Sequence, residues 1–68
     1  MIELPPPDAR MVPQRKEAVV LAVRLRQISR DYALRRYELS DDELRIWERR
    51  YARFGRRGLA TTKIQELR

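Results

Sequence analysis

The sequence contains no cysteine and no histidine. The absence of cysteine excludes disulfide bonds and thiolate metal sites, and the absence of histidine removes the commonest general base and the commonest metal ligand. With only two glycines, the chain also has no Gly-rich loop that could cradle a phosphate group. We therefore expect a protein without enzymatic activity, without a metal or other cofactor and without a small-molecule substrate.

Long hydrophobic runs are missing as well. The longest, residues 18–23, has six residues, whereas a helix needs about 20 apolar residues to span a bilayer. No positively charged segment leads directly into it, as one would in a signal peptide. We expect a cytoplasmic protein that does not bind membranes, and its 68 residues suffice for one small domain with a marginal core.

The charge balance is basic. Sixteen Lys and Arg side chains against ten Asp and Glu give a net charge of +6 at pH 7. Only Lys16 and Lys63 are lysines, so fourteen of the sixteen cations are arginine. Arginine offers a planar, multidentate set of donors that suits phosphates, carboxylates and guanine edges. A GC-rich coding sequence would produce the same bias, so composition alone does not establish a ligand.

Residues 1–13 are predicted to form an extended arm. Three successive prolines, Pro5 to Pro7, restrict φ and provide no backbone donor, which favours a polyproline-like conformation. The arm either leads into the domain as a tail or docks in a groove of a partner. A first helix follows, from Pro13 or Gln14 to about Arg26. Its predicted core face consists of Val19, Val20 and Val23, joined by Ala22 or Leu25.

Two further helices are predicted, with a tight turn between them. Ser29 caps a short helix from Arg30 to about Tyr37, and Ser40 begins a longer helix that ends at Gly55. Glu43 lies three residues after Ser40, as a capping box requires. A short helix, a turn of three or four residues and a longer helix are typical of a helix-turn-helix unit.

The predicted fold class is therefore all-α. Residues 14–58 form a three-helix domain with a helix-turn-helix unit, and residues 59–68 form a C-terminal segment. Thr62 and Gln65 are a candidate capping pair for a short helix in that segment. The apolar residues Ile46, Leu59, Ile64 and Leu67 either are covered by this segment or support association, so we expect a monomer or a weak homodimer.

The third helix has two distinct faces. Leu44, Trp47, Tyr51 and Phe54 fall at helical spacing and are predicted to belong to the core, as are Tyr32 and Tyr37. Nearly opposite this stripe lies a row of three arginines, each four residues after the last: Arg45, Arg49 and Arg53.

The arginine row is a candidate DNA-binding surface. Arg45 or Arg49 could make a bidentate contact to guanine in the major groove. The candidate phosphate contacts are Arg50, Arg56 and Arg57 on and after the third helix, and Arg15 and Lys16 on the first. The alternative is that these cations form an ordinary solvated surface.

The first turn of the third helix is acidic, with Asp41, Asp42 and Glu43 in succession. In helix-turn-helix proteins the start of this helix usually meets the bases, where three carboxylates would repel phosphates. They either complement the helix dipole and cap the helix, or they bind a basic partner protein. As a set, they are the candidate partner-binding residues.

Six segments of the chain carry a resemblance to a known family. They are Leu4-Pro5-Pro6-Pro7-Asp8, Arg15-Lys16-x-Ala18-Val19-Val20-x-Ala22-Val23-Arg24, Ile28-Ser29, Arg36-Tyr37-x-Leu39-Ser40-x-x-Glu43, Trp47 and Gly58-Leu59-x-Thr61-Thr62-x-Ile64-Gln65. Together they resemble the SciP family, small bacterial helix-turn-helix proteins named as inhibitors of the cell-cycle response regulator CtrA. The middle of the chain also resembles the heads of insertion-element transposases and Trp-repressor-like domains.

The resemblance implies a transcriptional regulator associated with the nucleoid. Such a protein binds double-stranded promoter DNA and the DNA-binding domain of CtrA, and so blocks activation by RNA polymerase. The family tends to have two glycines after the first helix, where this chain has Leu25 and Arg26. We therefore expect the first helix to run on and the turn to form without glycine, at a cost of about 1 kcal/mol.

Two hypotheses follow. The first is a DNA-binding repressor that uses the arginine row. The second is a pure protein-binding anti-activator that uses the acidic turn and the proline-rich arm, with no specific DNA recognition of its own.

Overall fold

The computed structural model describes residues 1–60. They form α1 (Pro13–Arg24), α2 (Arg30–Arg36), α3 (Asp41–Phe54) and a 3₁₀ helix, Gly55–Leu59, that follows α3 directly. No strand occurs in residues 1–60, so the predicted all-α, three-helix domain is confirmed. The predicted C-terminal helix with Thr62 and Gln65, and the apolar residues Ile64 and Leu67, lie outside the described residues.

Each helix begins where its local sequence predicted. Pro13 is the first residue of α1, where its missing N–H breaks no helical hydrogen bond. At α2, the Ser29 hydroxyl accepts a hydrogen bond from the Tyr32 N–H at 3.0 Å. At α3, Ser40 and Glu43 form the full capping box, with side chain to backbone distances of 3.1 and 2.9 Å. These local contacts satisfy N–H groups that have no partner inside the helix.

The end of α1 forms without glycine. The helix stops at Arg24, two residues before its predicted end, because Arg26 adopts a φ of +62° and reverses the chain. The N–H groups of Arg26 and Gln27 donate to the carbonyls of Val23 and Ala22 at 3.0 and 2.8 Å. This pair of bonds is the Schellman motif, which usually has glycine at the left-handed position.

The end of α2 repeats the same arrangement. Glu38 has a φ of +52°, and the Leu39 N–H donates to the Leu34 carbonyl at 2.9 Å. Residues 37–40 then connect α2 to α3, so the turn between the two helices has the predicted length. Two non-glycine residues in left-handed backbone conformations therefore frame α2.

The two glycines have different structural roles. Gly55 ends α3 as predicted, but with φ +70° and ψ −153° rather than the left-handed helical conformation. This region of backbone space is essentially restricted to glycine. Gly58 lies against α3, because a Cβ atom there would come within 2.5 Å of the Arg50 carbonyl oxygen. The 3₁₀ helix is thus held against α3 by direct backbone contact.

The core joins all three helices. Its buried cluster consists of Val19, Ala33, Tyr37 and Leu44. Partly buried apolar side chains pack around this cluster: Met11, Val23, Ile28, Leu34, Leu39 and Trp47. Leu59 of the 3₁₀ helix is also buried, at 2% exposure.

Two residues predicted as core lie at the surface instead: Phe54 is 58% exposed and Tyr32 46%. Of the alternatives Ala22 and Leu25, Ala22 is buried and Leu25 is 65% exposed. Phe54 follows Leu44 by ten residues, which turns it about 80° away from the direction of Leu44 on the helix. Leu25 lies beyond the last residue of α1, so it no longer follows the helical core face. The Tyr32 hydroxyl reaches outward to Arg36, at 3.3 Å.

The proline-rich arm is hydrogen-bonded to the domain. The Pro5 carbonyl accepts from the Tyr37 hydroxyl at 2.7 Å and from Arg36 Nη2 at 3.3 Å. Nearer the start of the chain, the Gln27 amide both donates to the Ile2 carbonyl and accepts from the Ile2 N–H, at 2.6 and 2.7 Å. These contacts place the arm against the end of α2 and the turn between α1 and α2.

Candidate nucleic-acid interface

The outward surface of α3 carries the three arginines that the sequence placed there. Arg45, Arg49 and Arg53 are all exposed, whereas Leu44 on the opposite side is fully buried. Ile46 lies on the same outward side and is 43% exposed. We call the surface formed by Arg45, Ile46, Arg49 and Arg53 the arginine face of α3.

The three arginines differ in their contacts. Arg45 forms an ion pair with Asp41 one turn earlier, at 3.1 Å, and remains 63% exposed. The Arg53 guanidinium lies 5.4 Å from the centre of the Phe54 ring. No ion pair joins Arg49 to another residue within the range 1–60. Within this range, Arg49 is therefore the arginine of the face that has neither an ion pair nor a cation–π contact.

A shallow groove beside Arg49 brings a further arginine to this surface. The groove lies between α1 and α3 and has a volume of about 410 Å³. Its lining residues are Val20, Val23, Arg24, Glu48, Arg49 and Ala52. The sequence assigned no binding role to Arg24, because only the packing of α1 on α3 places it beside Arg49.

The predicted phosphate contacts at the end of α3 are only partly available. Arg57 is exposed and Arg50 is half-buried. Arg56 is paired, since its guanidinium lies 2.8 Å from a Glu17 carboxylate oxygen. The Tyr51 hydroxyl donates to the other oxygen of Glu17 at 2.9 Å, and this hydrogen bond raises the pKa of Tyr51. An incoming phosphate would compete with Glu17 for Arg56.

The two DNA contacts predicted on α1, Arg15 and Lys16, differ in their exposure. Arg15 is exposed, but Lys16 is buried at 7% exposure. Lys16 Nζ donates to the Leu59 carbonyl at 3.3 Å and lies 5.4 Å from the centre of the Trp47 ring. Burial lowers the pKa of Lys16, and the nearby positive charge of Arg50 lowers it further. Lys16 is thus a contact between helices, and its burial does not fit the predicted role on a DNA backbone.

The acidic first turn of α3 is largely engaged within the protein. Asp41 accepts a hydrogen bond from Arg30 Nε at 2.8 Å and pairs with Arg45. The bond from Arg30 is the main cause that lowers the pKa of Asp41. Glu43 completes the capping box. Asp42 is exposed and forms no ion pair within residues 1–60.

Arg30 is a structural residue that the sequence did not reveal. It begins α2 and contacts α3 at two points, Asp41 at 2.8 Å and both oxygens of Glu48 at 2.8 and 2.9 Å. These hydrogen bonds, led by the one to Glu48, raise the pKa of Arg30. The partners are 11 and 18 residues away in sequence, so no local pattern could identify them. Arg30 fixes the start of α2 against α3.

Charge is divided along α3 and the segment after it. Residues 41–48 contain four carboxylates, Asp41, Asp42, Glu43 and Glu48. Residues 49–60 contain none, but have five arginines at positions 49, 50, 53, 56 and 57. The second half of α3 and the 3₁₀ helix are therefore the strongly basic end of the helix-turn-helix unit.

Residues 1–60 have neither a cluster of metal ligands nor a helix suited to a membrane. No group of three or more Asp or Glu side chains there could hold a metal ion. None of the helices in this range is long and apolar enough to cross a bilayer.

Comparison with known proteins gives one match. The model of the family described as "Protein of unknown function (DUF1153)" matches residues 1–68. No curated protein and no solved structure matches the chain. The matched range includes both the arm and the helix-turn-helix unit.

Proposed function

We propose that this chain, which belongs to the DUF1153 family, is a non-enzymatic transcriptional regulator that binds double-stranded promoter DNA through the arginine face of α3. We also propose a protein partner, the DNA-binding domain of a CtrA-type response regulator, which the resemblance to the SciP family implies. By binding at the promoter beside that activator, the protein prevents it from engaging RNA polymerase. This role places it in the cytoplasm, on the nucleoid, as a monomer or weak homodimer.

The observation that carries the proposal is the exposure of the arginine face on the longer helix of a helix-turn-helix unit. Arg49 and Arg53 are exposed one turn apart and point away from the buried Leu44. A helix with one buried side and one cationic side can enter the major groove while its other side remains in the core. Arginine is also the side chain that most often reads guanine, through two parallel hydrogen bonds.

The division of charge along α3 favours an unusual orientation on DNA. The first turn bears Asp42, which would face phosphates unfavourably, whereas residues 49–60 bear no carboxylate. We therefore place the DNA along the middle and the second half of α3 rather than at its first turn. Arg49 makes the base contact, and Arg53, Arg57 and Arg24 contact the flanking phosphates.

The contacts of Arg30 reduce the repulsion between the start of α3 and DNA. Arg30 pairs with both Asp41 and Glu48, and its single positive charge offsets one of the four negative charges in residues 41–48. Arg45 also pairs with Asp41 and reduces the net negative charge of this segment further. The start of α3 is thus less repulsive to a phosphate backbone than its sequence indicates.

A pure anti-activator is the second candidate, and exposed Asp42 is the observation that favours it. In that case the acidic first turn would contact a basic surface of the response regulator. Fewer acidic residues are available for this contact than the sequence indicated, because Asp41 and Glu43 already have partners inside the protein.

Binding to duplex DNA across a salt series tests the proposal. Each phosphate neutralised releases counterions, and the slope of log K against log salt concentration is about −0.9 per phosphate. Contacts by Arg24, Arg53 and Arg57 predict a slope of about −3. Fluorescence anisotropy with a labelled promoter fragment measures it, and a flat salt response would contradict DNA binding.

The same experiment with the activator separates the two candidates. We expect the protein to bind promoter DNA alone and to bind it more tightly when the CtrA-type DNA-binding domain is present. A protein that joins only the activator–DNA complex, with no affinity for DNA alone, would support the anti-activator instead. Failure to bind either component at micromolar concentration would contradict both candidates.

A further inference from the structure

Ile46 is the apolar member of the arginine face. Its side chain is 43% exposed, and it is absent from the core cluster and from the apolar side chains packed around that cluster. Arg45 precedes it, and Arg49 and Arg50 follow one turn later. Asp42 and Glu43 lie one turn earlier. A branched apolar side chain is therefore presented to solvent between the acidic first turn and the arginines of α3, at the surface where we place DNA.

We infer that Ile46 contacts the C5 methyl group of a thymine beside the base pair read by Arg49. The thymine methyl is the apolar group that the major groove exposes, and aliphatic side chains recognise it by direct contact. This inference rests on the proposed function, because it requires the arginine face to lie in the major groove. It adds a sequence preference that the arginines alone do not supply.

The spacing along α3 agrees with this assignment. Three residues of α-helix rise about 4.5 Å, close to the spacing of about 3.4 Å between successive bases of one strand. Ile46 and Arg49 therefore reach the same base pair or neighbouring ones. The preferred site should contain a thymine within about one base pair of the guanine bound by Arg49.

The surroundings of Ile46 favour DNA over a protein partner. The side chain has arginines at positions 45, 49 and 50, and in the major groove those cations would face guanine edges and phosphates. A protein surface would need an apolar pocket with several carboxylates opposite these arginines to fit the same group. DNA provides negative charge beside the methyl group without further requirement.

Replacing thymine with uracil removes only the methyl group, so it tests the contact directly. A bound duplex is first selected from random sequences with the wild-type protein, and each thymine in it is then replaced singly by uracil. Dissociation constants are measured for wild type, Ile46→Val, Ile46→Ala and the control Leu25→Ala, which changes an exposed leucine outside α3. Circular dichroism checks that all variants keep the helical fold.

We expect one uracil substitution to weaken wild-type binding about fourfold, the size expected for one methyl group removed from an apolar contact. Ile46→Val and Leu25→Ala should retain this difference, and Ile46→Ala should bind both duplexes equally. A wild-type protein that binds thymine and uracil duplexes equally at every position would overturn the inference and leave DNA binding intact.

The inference is also overturned if Ile46→Ala keeps the full discrimination, or if it loses only the binding of the response-regulator domain. The latter result would make Ile46 a protein contact. If the wild-type protein selects no duplex at all, the proposed function fails together with the inference, and this outcome is distinct from the others.

Discussion

Replacing Arg26 with glycine should stabilise the protein. Arg26 holds a φ of +62° at the end of α1, and a residue with a Cβ atom is destabilised by roughly 1–2 kcal/mol in this conformation. Glycine removes that strain, but its greater freedom in the unfolded chain offsets about 0.5–1 kcal/mol. The expected net gain in the free energy of unfolding is about 0.5–1 kcal/mol.

Thermal and urea unfolding, followed by circular dichroism at 222 nm, measure this change. For a domain of this size, the gain corresponds to an increase in Tm of roughly 2–8 °C. Arg24→Gly is the matched control, because it removes the same side chain from a position inside α1. There glycine should destabilise the protein by up to about 1 kcal/mol. Equal destabilisation by both substitutions would refute the assignment of a left-handed turn at Arg26.

Three further predictions concern packing and pH. Gly58→Ala should destabilise the fold by about 1–3 kcal/mol in urea unfolding, because its Cβ would meet the Arg50 carbonyl oxygen at 2.5 Å; wild-type stability in this variant would contradict the close approach of the 3₁₀ helix to α3. The pKa of Asp41 is lowered from 3.8, mainly by Arg30, so its stabilising contribution is complete above pH 3.8 and is lost as the pH falls through the lowered value. Arg30→Gln should therefore lose stability less steeply than wild type in acid unfolding, and identical acid profiles would argue against this ion pair. The pKa of Lys16 is lowered from 10.5 by burial, so the folded state binds fewer protons than the unfolded state just below pH 10.5, and the Lys16 contribution to stability rises with pH there. We therefore expect the difference in the free energy of unfolding between wild type and Lys16→Met to rise with pH in this range. The titration of Tyr51 is common to both proteins and cancels in this difference. A difference that is independent of pH would contradict the burial of Lys16.

The sequence predicts features of this fold that arise from local contacts. Ser40 and Glu43 are three residues apart and satisfy each other's backbone N–H groups, so the start of α3 depends on no distant residue. The exposed row of Arg45, Arg49 and Arg53 follows from the helical period once Leu44 is buried.

Features that depend on distant partners were not predictable. Lys16 is buried because its amine finds the Leu59 carbonyl, 43 residues later, and the ring of Trp47 beside it. The position of Lys16 in the sequence resembles that of any surface cation near a helix start. Arg30 presents the same difficulty, since Glu48 lies 18 residues away.

The ends of α1 and α2 could not be predicted from the sequence for another reason. Arg26 and Glu38 occupy positions that usually hold glycine or asparagine. Their left-handed conformations accompany the backbone hydrogen bonds that close α1 and α2, and neither side chain signals a turn. The prediction of a longer α1 was wrong for this reason, whereas the end of α3 was predicted because Gly55 occupies it.

The most direct test of the proposed function compares Arg49→Ala with Arg35→Ala in binding to promoter DNA, with and without the CtrA-type DNA-binding domain, across a salt series. Both variants lose one exposed arginine, but Arg35 lies on α2 and pairs with Asp31. A bidentate contact to guanine is worth about 1–3 kcal/mol, so we expect Arg49→Ala to weaken DNA binding at least fivefold and Arg35→Ala to resemble wild type. If the two variants bind DNA equally well, Arg49 does not read DNA and the arginine face is not the recognition surface.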